Sequence, residues 1–145
     1  MKPREIQFCW KRAIQSLKSA QVLHKMECYE DSISRSYYAT LYAAKAALLV
    51  FDRSASSHTA VRRLFGLHLI KTGEIEREWS DILFHEYDTR GMADYDIAYI
   101  ADEEDAQDML QAAARFVRRI GRYLEMQGID LPIPFPHNRY FSDGP

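Results

Sequence analysis

No proline interrupts the chain between Pro3 and Pro132. Inside a helix a proline removes a backbone donor and strikes the preceding turn, at a cost of about 3 kcal/mol. A stretch this long without one leaves extended helices unobstructed, and only 6 glycines are spread through the 145 residues. Apolar residues recur at steps of three and four throughout, and the alternation expected of a half-buried strand is missing.

A first helix is expected from about Arg4 to Met26, with Pro3 in its opening turn. Ile6, Trp10, Ala13, Leu17, Ala20 and Leu23 or His24 form its apolar stripe. A second, from about Tyr29 to Phe51, carries Ile33, Tyr37, Leu41, Ala44 and Leu48 on one face. Its alanines keep it narrow, so neighbours can approach closely. Ser57 is a good N-cap for a third helix over His58–Lys71, which Gly73 closes. A fourth runs from about Glu74 to Arg90 or Asp94, with Ile75, Trp79, Ile82, Leu83 and Tyr87 inward. In the last, Ala106, Leu110, Ala113, Val117, Ile120 and Leu124 step by four and three, acids at 102–105 and Arg118, Arg119 and Arg122 suit the helix dipole, and Gly128 is a fitting stop. The expected fold is all-α: an up-and-down antiparallel bundle of four to five helices (residues 1–128), then an extended Pro-rich C-terminal tail (129–145). Phe135, Tyr140 and Phe141 mark that tail for docking on a surface.

Charge narrows the function. With 19 Lys+Arg against 21 Asp+Glu the net charge is -2, which argues against a highly basic nucleic-acid binder while allowing a local patch. The longest apolar stretch, Ala46 to Phe51, is far short of the roughly 20 residues of a membrane span, and no apolar segment follows the N-terminal charges as in a signal peptide. Cys9 and Cys28 lie in helical patterns without a C-x-x-C, so both are expected buried and reduced. These features describe a soluble cytoplasmic protein with no membrane association.

Metal and phosphate motifs are missing. The histidines His24, His58, His68, His85 and His137 include no i, i+4 pair, and Thr89 stands where H-E-x-x-H would need its second histidine. No metal and no cofactor are expected. Two segments remain. In the first, Ser34 to Lys45, Tyr38 and Tyr42 are four residues apart, with Arg35 and Lys45 on the same side. That pattern fits a tyrosine-rich helix contact or a phosphate and base site. The second, His85 to Asp96, crowds Arg90, acids and tyrosines near a helix end, with Arg90 and Asp94 in the less favourable i, i+4 order. Such departures from local rules mark functional sites.

Four motifs, in order, carry a family resemblance: Ser34-Arg35-Ser36-Tyr37-Tyr38-Ala39, Ser57-His58, Lys71-Thr72-Gly73 and Arg90-Gly91-Met92-Ala93-Asp94-Tyr95. The chain resembles the HEPN superfamily, and within it the small stand-alone proteins of the UPF0332 type, over about residues 5–127. The resemblance implies a helical bundle, a homodimer, and either a metal-independent ribonuclease of a toxin–antitoxin or antiviral system or a partner of an MNT-type nucleotidyltransferase. In nuclease members an R-x(4–6)-H motif works on RNA: the arginine stabilises the pentacoordinate phosphate and the histidine activates the 2′-hydroxyl.

Here the sequence departs from the family pattern. Arg90 is the arginine carried over, yet Asp94 or Tyr95 stands where the histidine belongs. Arg53…His58, Arg62…His68 and Arg63…His68 match the literal spacing at a frequency that chance explains. The expected catalytic surface is therefore Arg90, Asp94 and Tyr95. Arg35, Tyr38 and His58 are expected to bind ligand, His58 by meeting a phosphate at the start of its helix. The missing histidine favours a binding or regulatory role toward RNA, a nucleotide or the nucleotidyltransferase. The alternative is a ribonuclease with a variant R-x(3)-D-Y site.

Overall fold

A computed structural model describes residues 2–83, 85 and 100–136. Among them are helices α1 (Pro3–Lys25), α2 (Tyr29–Leu49), α3 (His58–Phe65), an α4 that begins at residue 78 and α5 (Glu103–Met126), and no strand. The fold is all-α.

The stripes foreseen on α1, α2 and α5 are the core. Ile6, Trp10, Ala13, Leu17 and Ala20 are buried, as are Ile33, Tyr37, Leu41, Ala44 and Leu48, and Ala106, Leu110, Ala113, Val117, Ile120 and Leu124. Helix α2 lies centrally, packed against α1, α3 and α5. Ala39, Ala43, Ala44, Ala46 and Ala47 are all fully buried, because side chains this small let three neighbours close on one helix. The order of contacts fixes direction. His24 reaches the Glu103 carbonyl at 3.4 Å while Gly121 faces Trp10, so α1 and α5 are antiparallel. The Ala101 amide donates to Glu30 at 3.2 Å, so α2 and α5 begin at the same end and run parallel.

Caps behave as the sequence indicated. Ser57 Oγ accepts from the Ala60 amide at 3.1 Å, and Asp102 and Asp105 form a reciprocal capping box on α5. Gly128 takes the left-handed φ of +81 that ends α5. The tail then docks: Trp10 Nε1 donates to the Ile133 carbonyl at 2.7 Å, Gln7 to that of Asp130 at 2.7 Å, and the Arg118 guanidinium covers the Phe135 ring at 4.5 Å.

Three expectations need correction. The third helix is not uniform α-helix to Lys71, since Gly66–Ile70 widens into a π-turn in which the Lys71 amide reaches the Gly66 carbonyl at 2.9 Å. The fourth helix begins at residue 78 rather than Glu74. The Ile75 amide is taken by the Leu69 carbonyl at 2.9 Å, and Arg119 grips Glu76 through bonds of 3.0 to 3.2 Å, which holds 74–77 in a turn. Cys28 is exposed because it sits in the tight turn between α1 and α2, and Cys9 is half-buried.

Candidate functional site

Three of the six expected site residues meet on α2 and the start of α3. Tyr37 and Tyr38 are consecutive, so one ring points into the core and the other along the surface; Tyr37 is fully buried and Tyr38 half-buried. Ser57 caps α3 and thereby fixes His58 at its first turn. His58 lies against Tyr37, ring centroids 5.3 Å apart and planes inclined by 9°, with Nδ1 2.5 Å from the Tyr37 hydroxyl. Tyr38 meets the same imidazole edge-on at 6.2 Å, and the Arg35 guanidinium stacks over Tyr38 at 4.6 Å. Arg35, Tyr38 and His58 thus form one contiguous cluster, in which His58 stacks on Tyr37 and meets Tyr38 edge-on.

His58, expected to meet a phosphate at the start of its helix, has its Nδ1 engaged by Tyr37. Either atom can donate in that bond: the hydroxyl to an imidazole protonated on Nε2, or Nδ1–H to the hydroxyl oxygen. Arg90, Asp94 and Tyr95 lie outside the described residues, as do Tyr87, His137, Tyr140 and Phe141.

Arg35 also borders a polar groove between α1 and α2 of about 340 Å³, lined by Arg12, Gln15, Ser16, Lys18 and Ser19. Farther along α2, Tyr42 receives a hydrogen bond from Arg12 at 3.3 Å, and Lys45 lies 5.7 Å from its ring centroid. The face therefore alternates cations with tyrosine rings, as the Ser34 to Lys45 pattern suggested. Among the described residues, no carboxylate forms an ion pair with Arg12, Lys18 or Arg35. Below it the helix interior is polar: Ser32 Oγ donates to the Ala20 carbonyl at 2.8 Å, Thr40 Oγ1 to that of Ser36 at 3.1 Å, and Ser36 Oγ is buried without a partner among the described residues.

Sequence reasoning overlooked Arg12 and Lys18, and treated Tyr37 only as core. A signal for the first two exists. Arg12, Ser16 and Ser19 recur at steps of four and three beside the apolar stripe of α1, and two serines there leave a depression where larger residues would fill it. Among the described residues no cluster of three His, Cys, Asp or Glu side chains could hold a metal, and no helix is long and apolar enough to cross a membrane.

A bundle of this topology, carrying the motif order of α2 and α3, matches a known family: the HEPN domain profile covers residues 6–123. The chain belongs to the HEPN domain family. Among its relatives, a Methanocaldococcus jannaschii protein named "Putative toxin MJ0605" is 34% identical over 83% of this chain and 90% of its own length. A second from that organism, "Putative toxin MJ0142", is 30% identical over 87% of this chain and 86% of its own. A UPF0332 protein of Gloeobacter violaceus is 37% identical over 74% and 86% respectively.

Proposed function

We propose that this chain is the RNA-binding component of a toxin-type HEPN module, engaging single-stranded RNA along the α1–α2 face. The observation that carries the reading is the polar groove with Arg12, Lys18 and Arg35 at its edge and Tyr38 stacked beside it. Cations without carboxylate partners attract phosphates, and an adjoining tyrosine offers a base a stacking surface of about 1–3 kcal/mol. The overall charge of -2 does not oppose this, because screening confines the field to the local face. In such a module the chain acts as a binding or regulatory subunit, as a homodimer and beside an MNT-type nucleotidyltransferase. Toxin-named relatives support that setting.

Titration of labelled single-stranded RNA at several salt concentrations tests the reading. Arg35→Ala should weaken binding and lower the slope of log K against log salt by roughly 0.7, the loss of one phosphate contact. Tyr38→Ala should weaken binding by about tenfold or more with the salt slope unchanged. Binding that neither variant alters would reject this face.

A second reading, a metal-independent endoribonuclease, is favoured by the Tyr37–His58 contact. It holds one imidazole nitrogen, Nδ1, and so orients a ring of the type that transfers protons in catalysis. Cleavage of RNA in EDTA to 2′,3′-cyclic phosphate ends, lost in His58→Ala and retained in Arg35→Lys, would establish it.

A further inference from the structure

A second concavity lies away from that face, between the first turns of α1, the last turns of α2 and the loop that follows. Its volume of about 380 Å³ falls within the range of small-molecule sites, and its walls are almost entirely carbon. Phe8, Leu48, Leu49 and Ala55 supply the apolar surface. Phe8 is 62% exposed, an uncommon state for so large an apolar side chain at the mouth of a pocket.

Among the charged residues one sign dominates. Arg4, Lys45 and Arg53 are among the lining residues, with a single carboxylate, Glu5. Glu5 in turn has its own cation outside the pocket, with Lys2 Nζ 3.9 Å from its carboxylate. An apolar cavity with three cations in its lining is complementary to a molecule with an apolar body and one anionic end. Two of the three are arginines, whose planar fork matches a carboxylate.

We propose that this pocket binds an acyl carboxylate, with the hydrocarbon chain against Phe8, Leu48, Leu49 and Ala55 and the head group among Arg4, Lys45 and Arg53. Each methylene taken from water contributes about 0.8 kcal/mol, so a medium-length chain is held with useful affinity even after the loss of its freedom. The pocket shares Lys45 with the tyrosine face but none of the groove residues Arg12, Lys18 or Arg35, so each reading is tested on its own residues.

Cys9 supplies the test. Its half-buried thiol lines the pocket, and burial raises its pKa above the ordinary range while the Lys45 charge opposes that rise. In a Cys28→Ser background, which removes the exposed second thiol, the rate of Cys9 modification by DTNB is followed with decanoate, kept below its micelle concentration, or with decyltrimethylammonium. Decanoate should slow the reaction saturably, by about tenfold once its concentration is about ten times its Kd. The cationic analogue should not. Arg53→Glu, a change in an exposed loop, should weaken the decanoate effect by about tenfold or more, and Ala55→Trp, which fills the cavity, should abolish it.

Three results would overturn the proposal: no saturable protection by decanoate, equal protection by the cationic amphiphile, or protection without any amphiphile that grows with protein concentration. The last would assign the pocket to contact with a second copy of the chain. RNA affinity measured on the same Cys28→Ser,Arg53→Glu protein should be unchanged, which separates failure here from failure of the RNA-binding reading.

Discussion

Tyr37 and His58 are joined face to face and by hydrogen bond at once, with the hydroxyl 2.5 Å from Nδ1 and the rings 9° from parallel. A buried side chain of α2 thus sets the orientation of a residue on α3, and with Tyr37 as donor it would also fix the tautomer. Nitrogen-15 spectra of the imidazoles should show His58 with its neutral-state proton on Nε2. Tyr37→Phe should remove that preference and lower stability by about 1 kcal/mol in urea unfolding, the net value of one such bond.

Gly121 and Gly66 should respond oppositely to alanine. A Cβ on Gly121 would lie 2.7 Å from Cη2 of Trp10. That indole cannot retreat, being 1% exposed and tied to the Ile133 carbonyl. Overpacking of this kind costs about 1–3 kcal/mol and outweighs the helix-propensity gain of about 1 kcal/mol. Gly66 meets nothing within 4 Å and has helical dihedrals, φ -60 and ψ -43. Gly121→Ala should therefore lower Tm, and Gly66→Ala should raise stability by about 0.5–1 kcal/mol.

The Arg119–Glu76 clamp gives a pH dependence of definite sign. Hydrogen bonds from Arg119 hold the Glu76 carboxyl below its ordinary pKa. A folded-state pKa lower than the unfolded one means a contribution fully present above the unfolded value, about 4.5, and lost as pH falls through the folded value. Glu76 is 54% exposed, so solvent screening keeps the effect small. The stability difference between wild type and Glu76→Gln should be constant from about pH 7 to about pH 5 and shrink toward about pH 3.

Tyr123 has a hydroxyl buried without a partner among the described residues, and burial with the nearby Glu74 charge pushes its pKa up to about 12. The group stays protonated at ordinary pH and gains nothing from its burial. Tyr123→Phe should leave stability unchanged or raise it slightly, in contrast to Tyr37→Phe. Parallel urea titrations of the two variants make the comparison.

Much of this architecture is legible in the chain because it rests on periodicity. The stripe of α5, from Ala106 to Leu124, needs only a step of three and four, and Ser57 and Asp102 announce their helices through local hydrogen bonds. The π-turn at Gly66–Ile70 and the turn at 74–77 were hidden for the opposite reason. Their conformations depend on Leu69 accepting from Ile75 and on Arg119 reaching back across more than forty positions, as its bond to Glu76 shows (separation 43). The proposed binding face is half legible: Arg35, Tyr38 and Tyr42 share one helix, while Arg12 and Lys18 belong to another and join them only once α1 and α2 pack. Tyr37 was read as core, which it is, and its polar tip on His58 is a tertiary fact.

The two bonds from Gln7 and Trp10 to the tail each span 123 residues, which makes them among the last that a ribosome can allow. Helix α1 emerges well before its tail partners, and its indole lacks that cover until residues 130–133 have been synthesised. A product that stops short of Asp130 keeps most of the helical chain yet presents a bare tryptophan to chaperones and proteases. The closing strap therefore registers synthesis past residue 133: only a chain read through α5 and beyond can cover the indole of α1.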